Sequence, residues 1–158
     1  MLNWAAIYTS QTSPDSSLPE TPLGDASPAA AAAVSYALAQ LGTPYLWGGE
    51  EPGGFDCSGL VQAAYQTAGI ALPRVAQAQY DAGPPVAIGQ QLQPGDLVFF
   101  GTDSHHVAHV GIVINQTEMT DAPHSGALVR LEPYRWSDYL GATRPAVAAV
   151  SAAGAANS

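Results

Sequence analysis

"GGFDCSGLVQAAYQTAG", residues 53–69, holds the only cysteine of the chain. Cys57, Leu60, Val61, Ala64 and Ala68 recur at three- and four-residue spacing, so they share one face of a helix that starts at the cysteine and stops at Gly69. Asp56, just before it, is the residue type that caps the free N–H groups of a first helical turn. Cys57 thus sits at a helix N-terminus on the apolar, inward face. Two readings stay open from the residues alone. A lone inward cysteine is a small buried hydrophobe. At a helix N-terminus the unpaired N–H groups also favour thiolate over thiol and can receive an oxyanion, which makes a nucleophile. Gly53, Gly54 and Gly59 beside it would let a substrate backbone come close.

Upstream, "AAAAAVSYALAQLG" (29–42) is built of strong helix formers and ends at Gly42, a C-cap followed by Pro44. "TPYLWGGEEPGGF" (43–55) is a Gly/Pro-rich loop, and "RVAQAQYDAG" (74–83) fits a short third helix. The second half changes period. "GDLVFFG" (95–101), "VAHVGIVI" (107–114), "MTDA" (119–122) and "ALVRLEP" (127–133) are short, β-rich and separated by turn residues. Helices first and strands later predict an α+β fold, with N-terminal helices packed on an antiparallel sheet and the cysteine at a helix N-terminus.

The domain is expected over 29–145. Residues 1–28 contain "SQTSPDSSLPETPLGDASP" (10–28), whose composition reads as a flexible linker, and 146–158 read as a disordered tail. The "LPET" within the linker lacks the Gly that a sortase signal needs, since Pro22 follows it. The N-terminus has no basic region and too short an apolar stretch for a signal peptide.

Composition excludes several functions. Four arginines and no lysine stand against 13 acids, a formal net charge of −9, so no basic patch exists to hold nucleic acid or an anionic membrane. No apolar run reaches the roughly 18–20 residues of a membrane span. One cysteine forms neither an intramolecular disulfide nor a multi-thiolate zinc site.

A thiolate nucleophile needs a base. In 107–114 the alternation puts Val110, Ile112 and Ile114 on one face, toward the core, and His109, Gly111 and Val113 on the other. Gly111 would keep the His109 face open. His105 and His106, in "GTDSHH", read as a solvated loop, and the HH-x-x-H spacing is no metal site because no further ligand accompanies it. His124 follows Pro123 in a turn and is either near the site or merely exposed. To orient the base, the next strand offers Asp121 at its end, and Glu118 reads as a solvated charge in the preceding turn.

In order along the chain, "LGTPYLWGG", "FDCSGLVQAAY", "LPRVAQAQ", "LQPGDLVFFG", "HVGIVI" and "DAP" resemble the NlpC family of bacterial cell-wall cysteine peptidases. That resemblance implies a compact papain-like fold. It makes Cys57 the nucleophile, His109 the general base and Asp121 the third polar residue, usually a histidine in relatives. A carboxylate at Asp121 is expected to accept the Nδ1–H of His109. Tyr45 matches a tyrosine close to the nucleophile whose hydroxyl would help the oxyanion or the substrate. Asp56 and Ser58 match residues that receive the substrate's peptide stem, with helix capping an equal role for Asp56. Arg74 fits "LPR" and is either structural or substrate-binding, while Val75 and Ala76 replace hydroxyls common in relatives.

The implied reaction is hydrolysis of peptidoglycan stem peptides between D-glutamate, through its γ-carboxyl, and a diamino acid, with no metal or organic cofactor. The implied protein is a monomer, secreted or wall-associated, and the linker fits tethering to another wall-acting module. Two rivals remain: an inactive peptidoglycan-binding module, and an amidase or acyltransferase on a non-wall substrate.

Overall fold

The computed structural model describes residues 27–51 and 53–147. Among these residues the elements follow in the order α1 (Pro28–Ala39), β1 (Glu50–Glu51), β2 (Gly54–Phe55), α2 (Cys57–Gln66), α3 (Ala76–Ala82), β3 (Leu97–Gly101), β4 (Val107–Val113), β5 (Glu118–Asp121), β6 (Arg130–Pro133) and β7 (Tyr139–Thr143). β3 to β7 form one antiparallel sheet in the order β6-β5-β4-β3-β7. The expected α+β architecture is present. The expected linker up to residue 26 and the tail from 148 onward lie outside the described residues.

Each helix starts where its chemistry allows. Ser27 caps α1 by accepting the N–H of Ala30 at 3.1 Å, and Pro28 takes the first turn, where its missing N–H costs nothing. Ala30, Ala33, Val34 and Ala37 form the buried face of α1. Gly42 is not the C-cap. The helix ends at Gln40, and Gly42 (φ 89°) instead turns the chain so that its N–H reaches the Val129 carbonyl at 2.9 Å. Asp56 caps α2 as expected, accepting the Gly59 N–H at 2.7 Å.

The two faces of β4 divide the core. Val110, Ile112 and Ile114 pack with Val34, Val61, Ala64 and Tyr65 of the helices, as the alternation predicts. Val113 lies on the other face with Val98, Phe100, Met119 and Tyr134. A third cluster joins Phe55, Leu60 and Ala63 to Ala122 and Val129. It matters for function because it seats the start of α2 against the chain just past Asp121. Fully burying side chains such as Leu60 or Phe55 stabilises by about 1.5–3 kcal/mol each.

Sequence reading missed β7. The stretch 139–143 has no alternation of its own and becomes a strand only by pairing with β3. An internal clamp holds the two together: Arg144 binds Asp96 through Nε–Oδ1 at 2.8 Å and Nη2–Oδ2 at 2.9 Å, with Asp96 buried. Removing one partner of such a pair costs about 3–5 kcal/mol.

Candidate active site

Cys57 is the first residue of α2, and its thiol is free and half-buried. The first intrahelical bond near it runs from the Leu60 N–H to the Asp56 carbonyl, and the Asp56 side chain takes the Gly59 N–H. Helix geometry leaves the Cys57 and Ser58 N–H groups without an intrahelical acceptor, beside the thiol.

His109 lies directly across from Phe100 on β3, with its side chain 12 % exposed. Its Nε2 is 2.7 Å from Asp121 Oδ2, and Cys57 is a close enough neighbour to act on its pKa. The nitrogen facing Asp121 is therefore Nε2, not the Nδ1 that the sequence led us to expect. Trp136 stacks on the imidazole with centroids 5.5 Å apart and planes 12° apart, and Phe100 leans on it at 5.7 Å. The ring is thus held by one hydrogen bond and two aromatic neighbours.

Burial by itself would depress the His109 pKa. The hydrogen bond to Asp121, reinforced by the neighbouring Cys57, more than offsets this and carries it up to about 9. Asp121 is fully buried at the end of β5. Burial holds its carboxyl above the ordinary carboxylate range; the bond to His109 opposes that, and the neighbouring Glu132 reinforces it.

Gly111 does not keep the His109 face open. A Cβ there would meet Met119 Sδ at 2.3 Å, so the glycine admits the Met119 side chain, and the face is filled. Internal contacts also account for two glycines expected to make room for substrate. A Cβ on Gly59 would lie 1.9 Å from the Gly49 carbonyl oxygen, and one on Gly54 would lie 2.6 Å from Leu46 Cβ. The loop 43–55 is stitched to the helix start through these close approaches.

Arg74, Asp56 and Ser58 come together under that loop. Arg74 Nη1 donates to Asp56 Oδ1 and to Ser58 Oγ, both at 3.0 Å, and Nη2 donates to Asp56 Oδ2 at 2.9 Å. Asp56 Oδ2 also accepts the Gly48 N–H at 3.1 Å. Both Asp56 oxygens are engaged and Ser58 is buried, so the most open member of the trio is Arg74, with its side chain 30 % exposed and Glu50 at 3.7 Å. The buried Gln79 of α3 ties in from below, donating to the Ser58 carbonyl at 3.1 Å. Tyr45 is near enough to Cys57 and Asp56 that burial and those charges raise its pKa, keeping it a phenol donor.

His105, His106 and His124 are exposed, and His106 binds only Asp103 of its own loop. Glu118 is not in a turn but opens β5, where it accepts from Asn115 Nδ2 at 3.1 Å. Sequence reasoning missed Trp136, which lies in a segment with no periodic signal of its own, and Glu132, which lies in the stretch read as a strand but was given no role. Among the described residues no group of three His, Cys, Asp or Glu is placed to hold a metal ion. None of the described helices is long and apolar enough to cross a membrane.

A thiol at a helix N-terminus, an imidazole close to it and a buried carboxyl behind the imidazole are a set of groups suited to acyl transfer. Comparison with known proteins gives the arrangement its lineage. The NlpC/P60 family model matches residues 42–144. The chain belongs to the NlpC/P60 family. A probable endopeptidase of Mycobacterium tuberculosis is 50 % identical over 102 residues, 65 % of this chain and 26 % of the relative. A bifunctional muramidase/DL-endopeptidase of Bacillus subtilis is 43 % identical over 111 residues, 68 % of this chain and 33 % of the relative. This NlpC/P60 chain therefore spans about a quarter to a third of the length of these relatives. Among solved structures, an NlpC/P60 protein of Bacillus cereus superposes with a TM-score of 0.70 and 35 % identity, covering 75 % of this chain and 40 % of that one. The NlpC/p60 domain of the peptidoglycan hydrolase SagA superposes with a TM-score of 0.65 and 34 % identity, covering 72 % and 97 %. The papain-like α+β fold expected from the sequence is that of these NlpC/P60 neighbours.

Proposed function

We propose that this domain is a cysteine endopeptidase of peptidoglycan stem peptides, acting through Cys57, His109 and Asp121. The observation that carries the reading is His109 hydrogen-bonded to the buried Asp121 carboxyl and close to the Cys57 thiol, which stands at a helix N-terminus. Cys57 attacks the scissile carbonyl, and the oxyanion is received by the Cys57 and Ser58 N–H groups with the Tyr45 hydroxyl nearby. Imidazolium at His109 then gives its proton to the leaving amine. The acyl-enzyme is released by water that His109 deprotonates. Asp121 keeps the ring in position and favours its charged form.

The bond we assign is the one between the γ-carboxyl of D-glutamate and a diamino acid, a choice supported by the DL-endopeptidase name of the Bacillus subtilis relative. Arg74 and Glu50 form the open polar edge of the cleft and meet the charged end of the stem, with Asp56 and Ser58 fixing the guanidinium. The site of action is outside the cytoplasm, at the wall. The domain works as a monomer, needs no metal or organic cofactor, and acts as part of a longer wall-acting protein. Completeness of the Cys–His–Asp set favours this over an inactive binding module.

Digestion of soluble peptidoglycan fragments by wild type and Cys57→Ala, read by mass spectrometry, tests the proposal. New stem-peptide fragments are expected from wild type only, with the variant folded. Fragments from both proteins, or from neither, defeat it. Reaction with small amides or lipids alone points to the amidase or acyltransferase reading.

A further inference from the structure

Two carboxyl groups meet on the side of Asp121 away from His109. β5 and β6 pair with Asp121 opposite Arg130 and Met119 opposite Glu132, so Asp121 and Glu132 are diagonal neighbours on one face of the sheet. Each has one oxygen with an obvious partner. Asp121 Oδ2 faces His109 Nε2 at 2.7 Å, and Glu132 Oε1 accepts from Arg130 Nη2 at 3.2 Å. The other two oxygens, Asp121 Oδ1 and Glu132 Oε2, are both shut off from solvent and meet no N–H or hydroxyl donor among the described residues. Diagonal positions on one face of the sheet bring these two side chains within reach of each other.

If both were ionised, two bare buried oxygens would face each other, each lacking a bond worth about 1–3 kcal/mol and repelling its neighbour. A single proton between them satisfies both at once. The groups facing the pair are His109 from β4, with Cys57 of α2 behind it, and Arg130 on β6.

We propose that Glu132 is a positioning residue of this site, sharing one proton with Asp121 between Oε2 and Oδ1 at neutral pH and so locking the Asp121 carboxyl with Oδ2 on His109. The inference rests on the roles given above to Cys57, His109 and Asp121. The proton belongs to the pair rather than to either acid. Oδ2 remains an acceptor wherever the proton sits, so the imidazole keeps its orientation. A bare carboxylate could rotate away from its repelling neighbour and lose that bond. The rise in the Asp121 pKa, caused first by burial and then by Glu132, runs in the same direction.

Infrared difference spectra and alkylation of Cys57 by iodoacetamide test this without a peptide substrate. The wild-type spectrum at pH 7 should contain the carbonyl stretch of a protonated carboxyl, and Glu132→Gln should lack it. Absence of that band from wild type overturns the proposal on the native protein, whatever the variants do. Glu132→Ala leaves Oδ1 bare and should slow alkylation about tenfold at pH 7, the effect of losing one such bond. Glu132→Gln, with a permanent N–H donor in place of the shared proton, should recover most of that loss. Alkylation of Glu132→Ala at the wild-type rate, or no recovery in a folded Glu132→Gln, overturns the positioning role. A wild-type Cys57 no more reactive than an ordinary free thiol overturns the catalytic reading and the positioning role with it, while the infrared band still reports the shared proton independently.

Discussion

Replacing Asp121 by Asn isolates what its charge does for His109. The amide is nearly the same shape, so its oxygen can still accept the Nε2–H while its NH2 turns toward Glu132. What disappears is the ionised partner of a 2.7 Å hydrogen bond made by a fully buried side chain. Hydrogen bonds to charged groups contribute about 1.5–3 kcal/mol and neutral ones about 0.5–1.5, so the imidazolium loses roughly 1–1.5 kcal/mol. That is about one pH unit. The sign follows from the state stabilised: the carboxylate favours protonated His109, so its removal lets the proton leave at lower pH. The His109 ring, followed by NMR, should titrate near 9 in wild type and about one unit lower in Asp121→Asn. Because the imidazolium delivers the proton to the leaving amine, the alkaline limb of kcat/KM should move down with it, while activity at neutral pH falls less. A His109 midpoint that does not move, or a wild-type midpoint near that of free histidine, would refute the reasoning.

Two other substitutions separate neighbouring effects. Gly59→Ala should stabilise by about 1 kcal/mol if helix propensity governs, but its Cβ would lie 1.9 Å from the Gly49 oxygen. We expect it to destabilise by about 3 kcal/mol in urea melts and to lower Cys57 reactivity as the 43–55 loop is pushed off the helix start. Trp136→Ala removes the ring stacked on His109 and should cost about 2 kcal/mol, less than a fully buried Trp, together with turnover. Trp136→Phe should restore much of both; a Trp136→Ala variant with wild-type kcat would remove the ring from any part in holding the base.

What the sequence revealed was local. The α2 start could be read because capping by Asp56 and the spacing of Leu60, Val61 and Ala64 fall within one short segment, although the helix ends at Gln66, before the expected stop at Gly69. The faces of β4 were legible for the same reason, since alternation is a property of consecutive residues. Gly111 shows where this ends: its position was right, but the Met119 that fills the space comes from another strand. β7 exists through β3, and Glu132 gains its meaning from Asp121, two residues past its paired partner on the adjacent strand. Likewise, neither spacing nor composition could say which ring nitrogen of His109 would face Asp121. That depends on the side-chain torsion, held by the packing of Trp136 and Phe100 on the ring.

The arginines carry one more consequence. Among the described residues Arg74, Arg130 and Arg144 each face a carboxylate, and Arg135 lies over the Tyr134 ring. In a chain of net charge −9 that holds no lysine, little positive charge is left facing outward. The long-range field is therefore anionic, and a polyanionic matrix meets it with repulsion rather than steering. Raising ionic strength shortens the reach of that field to about 10 Å at 0.1 M. Salt should then speed the encounter of this domain with such a matrix, the inverse of the behaviour of proteins that grip polyanions with basic patches.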